Sequence, residues 1–330
     1  MMSRKRKKSR RINRLKIVFM GTPEIAVPSL KCLAESEHEV LAVITQPDQK
    51  SGRGMTVKYS PVKETALLYQ IPCYQPEKIS DPEFMDFLEG LGGEVFAVAA
   101  YAQKIPDRIL TMPVYGCINM HPSLLPKYRG SGPLRGPILN GDTETGVTIM
   151  QLTSEWDAGD ILMQERFALD AGETSETLQS KCAELGARMM LKTINGLEEG
   201  TIHPTAQDHS KATYLKQIKK EEGLIDFSRS AVQIERQIRA CIPWPSAYTT
   251  LNGKTFKIWE AVVSDSLPEE PVQVYPAGSI ALVRKQEFYI QTGKGFLKPV
   301  TVQLEGKKRM AAADFLRGQH LEAGIILGSH

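Results

Sequence analysis

Residues 117–126 read Cys-Ile-Asn-Met-His-Pro-Ser-Leu-Leu-Pro. The turn signal Tyr115-Gly116 precedes a short apolar run, and Pro122 follows it. Proline cannot donate to a sheet ladder, so a strand must stop where it stands. The pattern predicts a short buried strand over 117–120 that opens into a loop. Side chains alternate along a strand, so Asn119 and His121 project to the same side. Farther on, Trp156-Asp157-Ala158-Gly159-Asp160 supplies carboxylates in a turn-like setting. An amide donor can hold a developing oxyanion, an imidazole can move a proton, and a carboxylate can fix the imidazole's protonation state. Together these groups suit an acyl transfer.

Outward from this stretch the chain alternates. Leu15–Met20, Val40–Thr45, Val95–Ala100, Gly116–Asn119 and Val147–Leu152 read as strands. Residues 24–36, Pro61–Gln70 and Pro82–Leu91 read as helices, the last two with proline near the first turn. Continuous apolar strands alternating with helices imply an α/β, Rossmann-like, mostly parallel sheet covered on both faces. Ligands bind such sheets at the carboxyl ends of the strands, where Asn119 and His121 sit. Residues 175–199 form a long helical stretch, and 201–217 show no period and read as a linker. The texture then changes. Ser230-Ala-Val-Gln233 is a capping-box signal for a helix reaching about Cys241. Strand candidates follow at 247–251, 254–263, 278–283, 287–291 and 296–304, with Asn252-Gly253 as a hairpin turn. Short strands in this number predict a small antiparallel, OB-like β-barrel, and 311–317 adds a helical turn. The expected division is a disordered basic extension (1–14), a catalytic domain (15–200), the linker, a barrel domain (218–322) and a tail (323–330).

Composition narrows the class. With 330 residues, 42% hydrophobic and 24% charged, the chain is an ordinary globular protein long enough for two domains. No apolar run is long enough for a membrane span, and no secretory stretch follows the basic amino terminus. Five widely spaced cysteines suit reduced thiols in the cytoplasm, and all five read as small buried hydrophobes. The net charge of +3 is unevenly spread. Residues 1–16 hold nine basic groups and no acid, residues 17–210 hold 15 basic and 26 acidic, and residues 211–330 hold 17 and 12. A basic carboxyl-terminal half beside an acidic body suggests a polyanion partner for that half. Segment 1–14 could be an RNA-binding arm, a dispensable extension, or sequence read from an upstream start codon.

Other motifs are weighed the same way. Gly21-Thr22-Pro23 follows the first strand, but the further glycines that admit a pyrophosphate are missing, which argues against nicotinamide binding. Ser51-Gly52-Arg53-Gly54, with Lys50 and Lys58, forms a basic loop in an acidic domain. It is either a solvated surface loop or a grip on a phosphate backbone. Cys117 could serve as a nucleophile, though its apolar neighbourhood favours a buried structural thiol. His38, His203, His209, His320 and His330 fall in polar or terminal segments without the context of His121. No histidine, cysteine and aspartate cluster has metal-ligand spacing.

The run Asn119-Met-His121-Pro-Ser-Leu-Leu-Pro-Lys-Tyr-Arg-Gly130, with Gly141-Asp142 and Trp156-Asp157-Ala-Gly-Asp160, resembles the folate-dependent formyltransferases. Within that superfamily, residues 15–322 most resemble the branch that formylates methionyl-tRNA. The features that carry this are Met20-Gly-Thr-Pro23, Gln46-Pro-Asp48, the Gly52-Arg53-Gly54 loop, Ile242-Pro-Trp-Pro245, Gly306-Lys-Lys-Arg-Met310 and Asp314-Phe-Leu316. Two positions depart from the branch. Pro122 stands where its members often have a small residue, and Ala102 where many have glycine. Pro122 is shared with purine-pathway and sugar formyltransferases, so the carboxyl-terminal half decides the acceptor.

The resemblance implies transfer of a formyl group from 10-formyltetrahydrofolate to the α-amine of initiator methionyl-tRNA, in translation initiation, without metal or obligate protein partner. It implies an oxyanion donor at Asn119, an acid–base role for His121, and Asp157 orienting His121 and assisting proton removal. Ser123, Leu124, Leu125 and Pro126 would line the folate site, helped by residues around 100–103. Arg53 and Lys58 would approach the tRNA, and the barrel would track its phosphates. The rival readings are a formyltransferase for a small amine, a non-catalytic RNA-binding module, and nicotinamide redox chemistry.

Overall fold

The computed structural model describes residues 14–51, 56–269 and 273–328. Residues 1–13 of the basic extension and Arg53 lie outside them. The chain divides into two compact units. One comprises residues up to Arg129, Gly146–Arg166 and Gln179–Tyr214, and the other Gly130–Thr145, Phe167–Leu178 and Leu215 onward. Residues 201–217, expected as a linker, run in the first unit as far as Tyr214, and Gln207 is buried there.

The first unit is built on a seven-stranded sheet. Its strands are β1 (Lys16–Gly21), β2 (Glu39–Ile44), β3 (Cys73–Tyr74), β4 (Val95–Ala99), β5 (Cys117–His121), β6 (Glu144–Gln151) and β7 (Ile161–Ala168). Their order is β7-β6-β5-β4-β1-β2-β3. The pairs β1–β2, β1–β4, β2–β3 and β4–β5 are parallel, so the sheet is mostly parallel as expected. The antiparallel part begins at the β5–β6 pair, beside the residues of interest. Ile17, Val18, Phe19 and Met20 of β1 are fully buried. Burial of such a side chain stabilises by about 1.5–3 kcal/mol. β7 had no sequence forecast, because exposed Gln164, Glu165 and Arg166 interrupt its apolar pattern.

In chain order the helices are α1 (Val27–Ala34), α2 (Pro61–Leu68), α3 (Pro82–Gly90), α4 (Asp107–Leu110), α5 (Arg135–Asn140) and α6 (Ser175–Glu198). Caps set their starts. The Ser60 hydroxyl accepts the Lys63 amide at 3.1 Å before α2, and the Asp81 carboxylate accepts the Glu83 amide at 2.9 Å before α3. Each helix has proline in its first turn, where a missing N–H costs nothing. Gly21 also acquires a structural reason. A Cβ there would stand 2.8 Å from the Ala99 carbonyl oxygen and 2.9 Å from the Ala26 Cβ. The lone glycine of the first turn serves close packing rather than a pyrophosphate. On either side of the stretch expected as a basic loop, Gln49–Ser51 pair with Thr56–Lys58, and residues 52–55 of that loop lie outside the described residues.

The second unit contains α7 (Ala231–Ala240), β8 (Ala247–Leu251), β9 (Lys254–Ser264), β10 (Ile280–Val283), β11 (Phe288–Gln291), β12 (Phe296–Leu304), β13 (Met310–Ala311) and α8 (Ala312–Gly318). The strands form an antiparallel sheet of order β8-β9-β12-β11-β10, with β13 on β12. The capping box before α7 forms in both directions: the Ser230 hydroxyl accepts the Gln233 amide, and the Gln233 side chain accepts the Ser230 amide at 3.1 Å. Asn252 and Gly253 adopt φ of 50° and 73°, the left-handed pair that a two-residue hairpin turn requires. Ile234 and Ile238 of α7, Phe315 of α8 and the inward residues Phe256, Phe288, Leu297 and Val302 share one core.

Candidate active site

β5 runs one residue beyond its forecast end, and His121 pairs with Thr148 of β6 in antiparallel register. The ladder stops there because Pro122 follows. Asn119 is half-buried and His121 is buried. The Asn119 side chain makes no hydrogen bond among the described residues, so its amide is available to a ligand. His121 is committed at one nitrogen. Its Nε2 lies 3.0 Å from the Tyr128 carbonyl oxygen. A carbonyl only accepts, so Nε2 carries the proton of that bond. Nδ1 then points toward Asp157, whose Oδ1 is 3.7 Å away. That separation is too long for a hydrogen bond and short enough for an ion pair once the ring is protonated.

Asp157 lies in the loop after β6 and is buried, with a left-handed backbone at φ 51°. Tyr128, which supplies the carbonyl, is left-handed too, at φ 63°. Such backbones cost of order 1–3 kcal/mol for a non-glycine residue and persist only where surrounding structure enforces them. His121 and Asp157, distant in the chain, are therefore brought together on enforced backbone.

The loop expected to line the folate site splits into two kinds of residue. Ser123 and Leu125 are buried, whereas Leu124 and Pro126 keep part of their surface. The Ser123 hydroxyl donates to the Lys127 carbonyl at 2.8 Å. The Leu125 amide donates to the Thr148 hydroxyl at 3.2 Å, and that hydroxyl donates to the Ser123 carbonyl at 2.7 Å. Gln164 donates to the Leu125 carbonyl at 3.0 Å. Ser123 and Leu125 thus hold the loop's shape, while Leu124 and Pro126 keep exposed surface. In the neighbouring segment, Ala100 and Ala102 are left-handed at φ 49° and 71°, and Tyr101 is buried. The φ of Ala102 is one that glycine adopts without cost. The Tyr101 carbonyl accepts from Gln46 Nε2 at 2.9 Å, tying the segment to the end of β2.

Two participants had no functional forecast. Gln207 donates from Nε2 to the Asp157 carbonyl at 2.9 Å and the Gly159 carbonyl at 2.7 Å. Its Oε1 accepts from the buried Arg129 guanidinium at 2.7 and 3.2 Å. A glutamine in an aperiodic polar stretch carries no sequence signal, and Arg129 stood out only as part of a motif.

The remaining candidates sort by their surroundings. Cys117 is fully buried, its thiol donates to the Ile109 carbonyl at 3.5 Å, and burial pushes its pKa up to about 12. It is not an activated nucleophile. Cys182 and Cys241 are buried as expected, but Cys32 and Cys73 are only half-buried. His38, read as lying in a polar segment, is buried and doubly satisfied. Its Nδ1 accepts the Leu15 amide at 3.2 Å and its Nε2 donates to Asn195 Oδ1 at 2.7 Å. Lys58, at the end of the ribbon, is exposed. Among the described residues no group of three or more His, Cys, Asp or Glu is placed to hold a metal ion. No helix among them is long and apolar enough to cross a membrane.

Known proteins match over both units. Residues 15–194 fit the formyl transferase family model, and residues 217–320 fit the model of the formyl transferase C-terminal domain. The methionyl-tRNA formyltransferase of Lachnospira eligens is 46% identical over 314 residues, covering 95% of this chain and all of that one. The methionyl-tRNA formyltransferase of Caldanaerobacter subterraneus is 44% identical, again over 95% of this chain and the whole of its own length. Among solved structures, an N-formyltransferase from Helicobacter canadensis, in complex with folinic acid and dTDP-3-aminofucose, superposes with a TM-score of 0.62 at 21% identity, over 86% of this chain and 98% of that one. HypX from Aquifex aeolicus, in complex with tetrahydrofolic acid, superposes with a TM-score of 0.59 at 19% identity, over 92% of this chain and 47% of its own. These two likenesses show the fold. The chain belongs to the formyl transferase family, in its methionyl-tRNA formyltransferase branch.

Proposed function

We propose that this chain transfers the formyl group of 10-formyltetrahydrofolate to the α-amino group of methionyl initiator tRNA, in the cytoplasm, at the start of protein synthesis. The observation that carries the reading is the likeness to methionyl-tRNA formyltransferases along nearly the whole chain, 46% identical to one over 95% of it. The site chemistry supports it. Asn119 offers an unengaged amide beside a buried imidazole–carboxylate pair at a strand's carboxyl end.

In this mechanism the acceptor amine attacks the formyl carbon, and the carbonyl oxygen gathers negative charge. The Asn119 amide donates to that oxygen, which is typically worth about 3–4 kcal/mol in the transition state. Nε2–H of His121 stays on the Tyr128 carbonyl, so Nδ1 is the nitrogen that handles protons. With Nδ1 protonated, the ring is a cation facing Asp157 and delivers that proton to the departing N10. The proton lost by the amine passes to the Asp157 carboxylate, directly or through water. Acid–base help of this kind contributes roughly 10²–10⁴ in rate. Leu124 and Pro126 present the apolar surface against which the reduced folate lies.

The polyanionic acceptor is held elsewhere as well. Arg53 and Lys58 are assigned to the acceptor end of the tRNA. On the second unit, Trp259 sits at a bulge of β9, where the register with β12 shifts. Its ring has the Arg309 guanidinium 3.5 Å and the Lys257 ammonium 5.5 Å from its centre, and exposed Lys307 and Lys308 immediately precede Arg309. Its indole N–H donates to Gln303 at 3.1 Å. A fixed aromatic ringed by cations is suited to track a phosphate backbone, each neutralised phosphate adding just under one unit to the log–log salt slope. The test is incubation with 10-formyltetrahydrofolate and methionyl initiator tRNA, scored by release of formyl-methionine, with an elongator tRNA as control. Absence of formyl-methionine from the folded protein, or equal formylation of both tRNAs, overturns the proposal.

A further inference from the structure

We infer that Gln207, locked by the buried guanidinium of Arg129, is a positioning residue that holds the Asp157 carboxylate opposite His121. The inference deepens the proposed mechanism and rests on its assignment of Asp157. The argument begins with the backbone. Asp157 is buried and left-handed, a conformation an L residue keeps only under constraint. The constraint is the Gln207 side-chain amide, whose NH₂ group donates to the Asp157 and Gly159 carbonyls at 2.9 and 2.7 Å. These bonds fix both ends of the short turn on which the carboxylate rides.

A glutamine amide can turn over and present oxygen instead of nitrogen. Here it is prevented from doing so. Arg129 donates Nε–H and Nη2–H to Gln207 Oε1, at 3.2 and 2.7 Å. Guanidinium has donors only, so the amide must face it with its oxygen and face the carbonyls with its NH₂. Arg129 is itself fixed. It is 1% exposed, and its Nη1 donates to the Tyr214 hydroxyl at 3.0 Å, while His209 Nδ1 lies 3.3 Å from Nη2. The Arg129 amide donates to the Thr213 carbonyl at 2.8 Å. The preceding residue, Tyr128, supplies the carbonyl that fixes His121 Nε2. Two consecutive residues therefore hold both members of the pair, Tyr128 by its backbone and Arg129 through Gln207.

The experiment uses the full chain with Gln207→Glu, which keeps the shape and the Arg129 contact but removes both donors. Gln207→Met, of similar length and uncharged, is the second variant should the first not fold. Each is made alone and combined with Asp157→Asn, with thermal melting run in parallel. The expected result is a kcat lowered about tenfold or more, with KM for folate and tRNA within about threefold, and little further loss when combined with Asp157→Asn. A purely structural residue would change melting temperature and active fraction but would not be silent in the Asp157→Asn background. Unchanged kcat in a folded variant, a rise in KM at constant kcat, or losses that multiply with Asp157→Asn would each overturn the inference. The single Asp157→Asn variant separates the layers: normal turnover there removes the catalytic assignment, and the inference with it.

Discussion

Two buried histidines of the first unit differ in how completely their imidazoles are bonded, and the proposed mechanism turns on that difference. His38 has a backbone amide donating to one nitrogen and an asparagine oxygen accepting from the other, at 3.2 and 2.7 Å. Both positions are filled by groups fixed in place, so the ring is a neutral strut between the start of β1 and α6. His121 has one nitrogen fixed by a carbonyl and the other facing a carboxylate at 3.7 Å. Its second position is held open, facing the Asp157 carboxylate from too far to be spent in a hydrogen bond. Burial alone does not distinguish the two, since they are 5% and 4% exposed. The completeness of their bonding does.

The comparison can be broken most directly at its reactive side. His121→Ala and Asn119→Ala are each expected to lower kcat by at least roughly a hundredfold with the fold intact, read by single-turnover formylation. Near-normal turnover in either would mean that the open nitrogen and the unengaged amide are incidental. Asp157→Asn follows, with a loss of at least roughly tenfold in kcat, because the neutral amide cannot stabilise a protonated His121. Arg53→Ala is next, expected to weaken tRNA engagement and leave folate affinity unchanged. A changed folate affinity with unchanged tRNA kinetics would remove Arg53 from the tRNA path. His38→Ala sharpens the contrast from the other side. It leaves the Leu15 amide and Asn195 oxygen unpaired, which costs stability by roughly 1–3 kcal/mol in chemical denaturation. Its kcat should stay within about twofold of the parent. The smallest effect belongs to Cys117. With its thiol buried and pushed up to about 12, it should resist alkylation at neutral pH in the native protein, and Cys117→Ala should leave turnover unchanged.

Much of this was legible along the chain. The strand before Pro122, the Asn119–His121 spacing, the capping box at Ser230 and the Asn252-Gly253 turn follow from period, cap and turn chemistry, which act over a few residues. Less was legible where a residue's role depends on distant neighbours. Ser123 and Leu125 read only as ligand-lining residues, and the structure adds that they also bond within their loop. The stretch 201–217 read as a linker because it lacks a period, yet Gln207 within it reaches two carbonyls across the unit. β7 escaped notice because its exposed polar residues hide the strand pattern.

The amino-acid sequence by itself determined the class of chemistry and the ends of most elements, since local sterics and hydrophobic alternation are properties of neighbouring residues. Only the tertiary structure decided which nitrogen of His121 is free and why Asp157 faces it. Those facts rest on the neighbours Tyr128 and Arg129 and on Gln207, which folding brings from far along the chain. A hydrogen bond requires a donor and an acceptor within about 3 Å, and the linear chain does not record that distance.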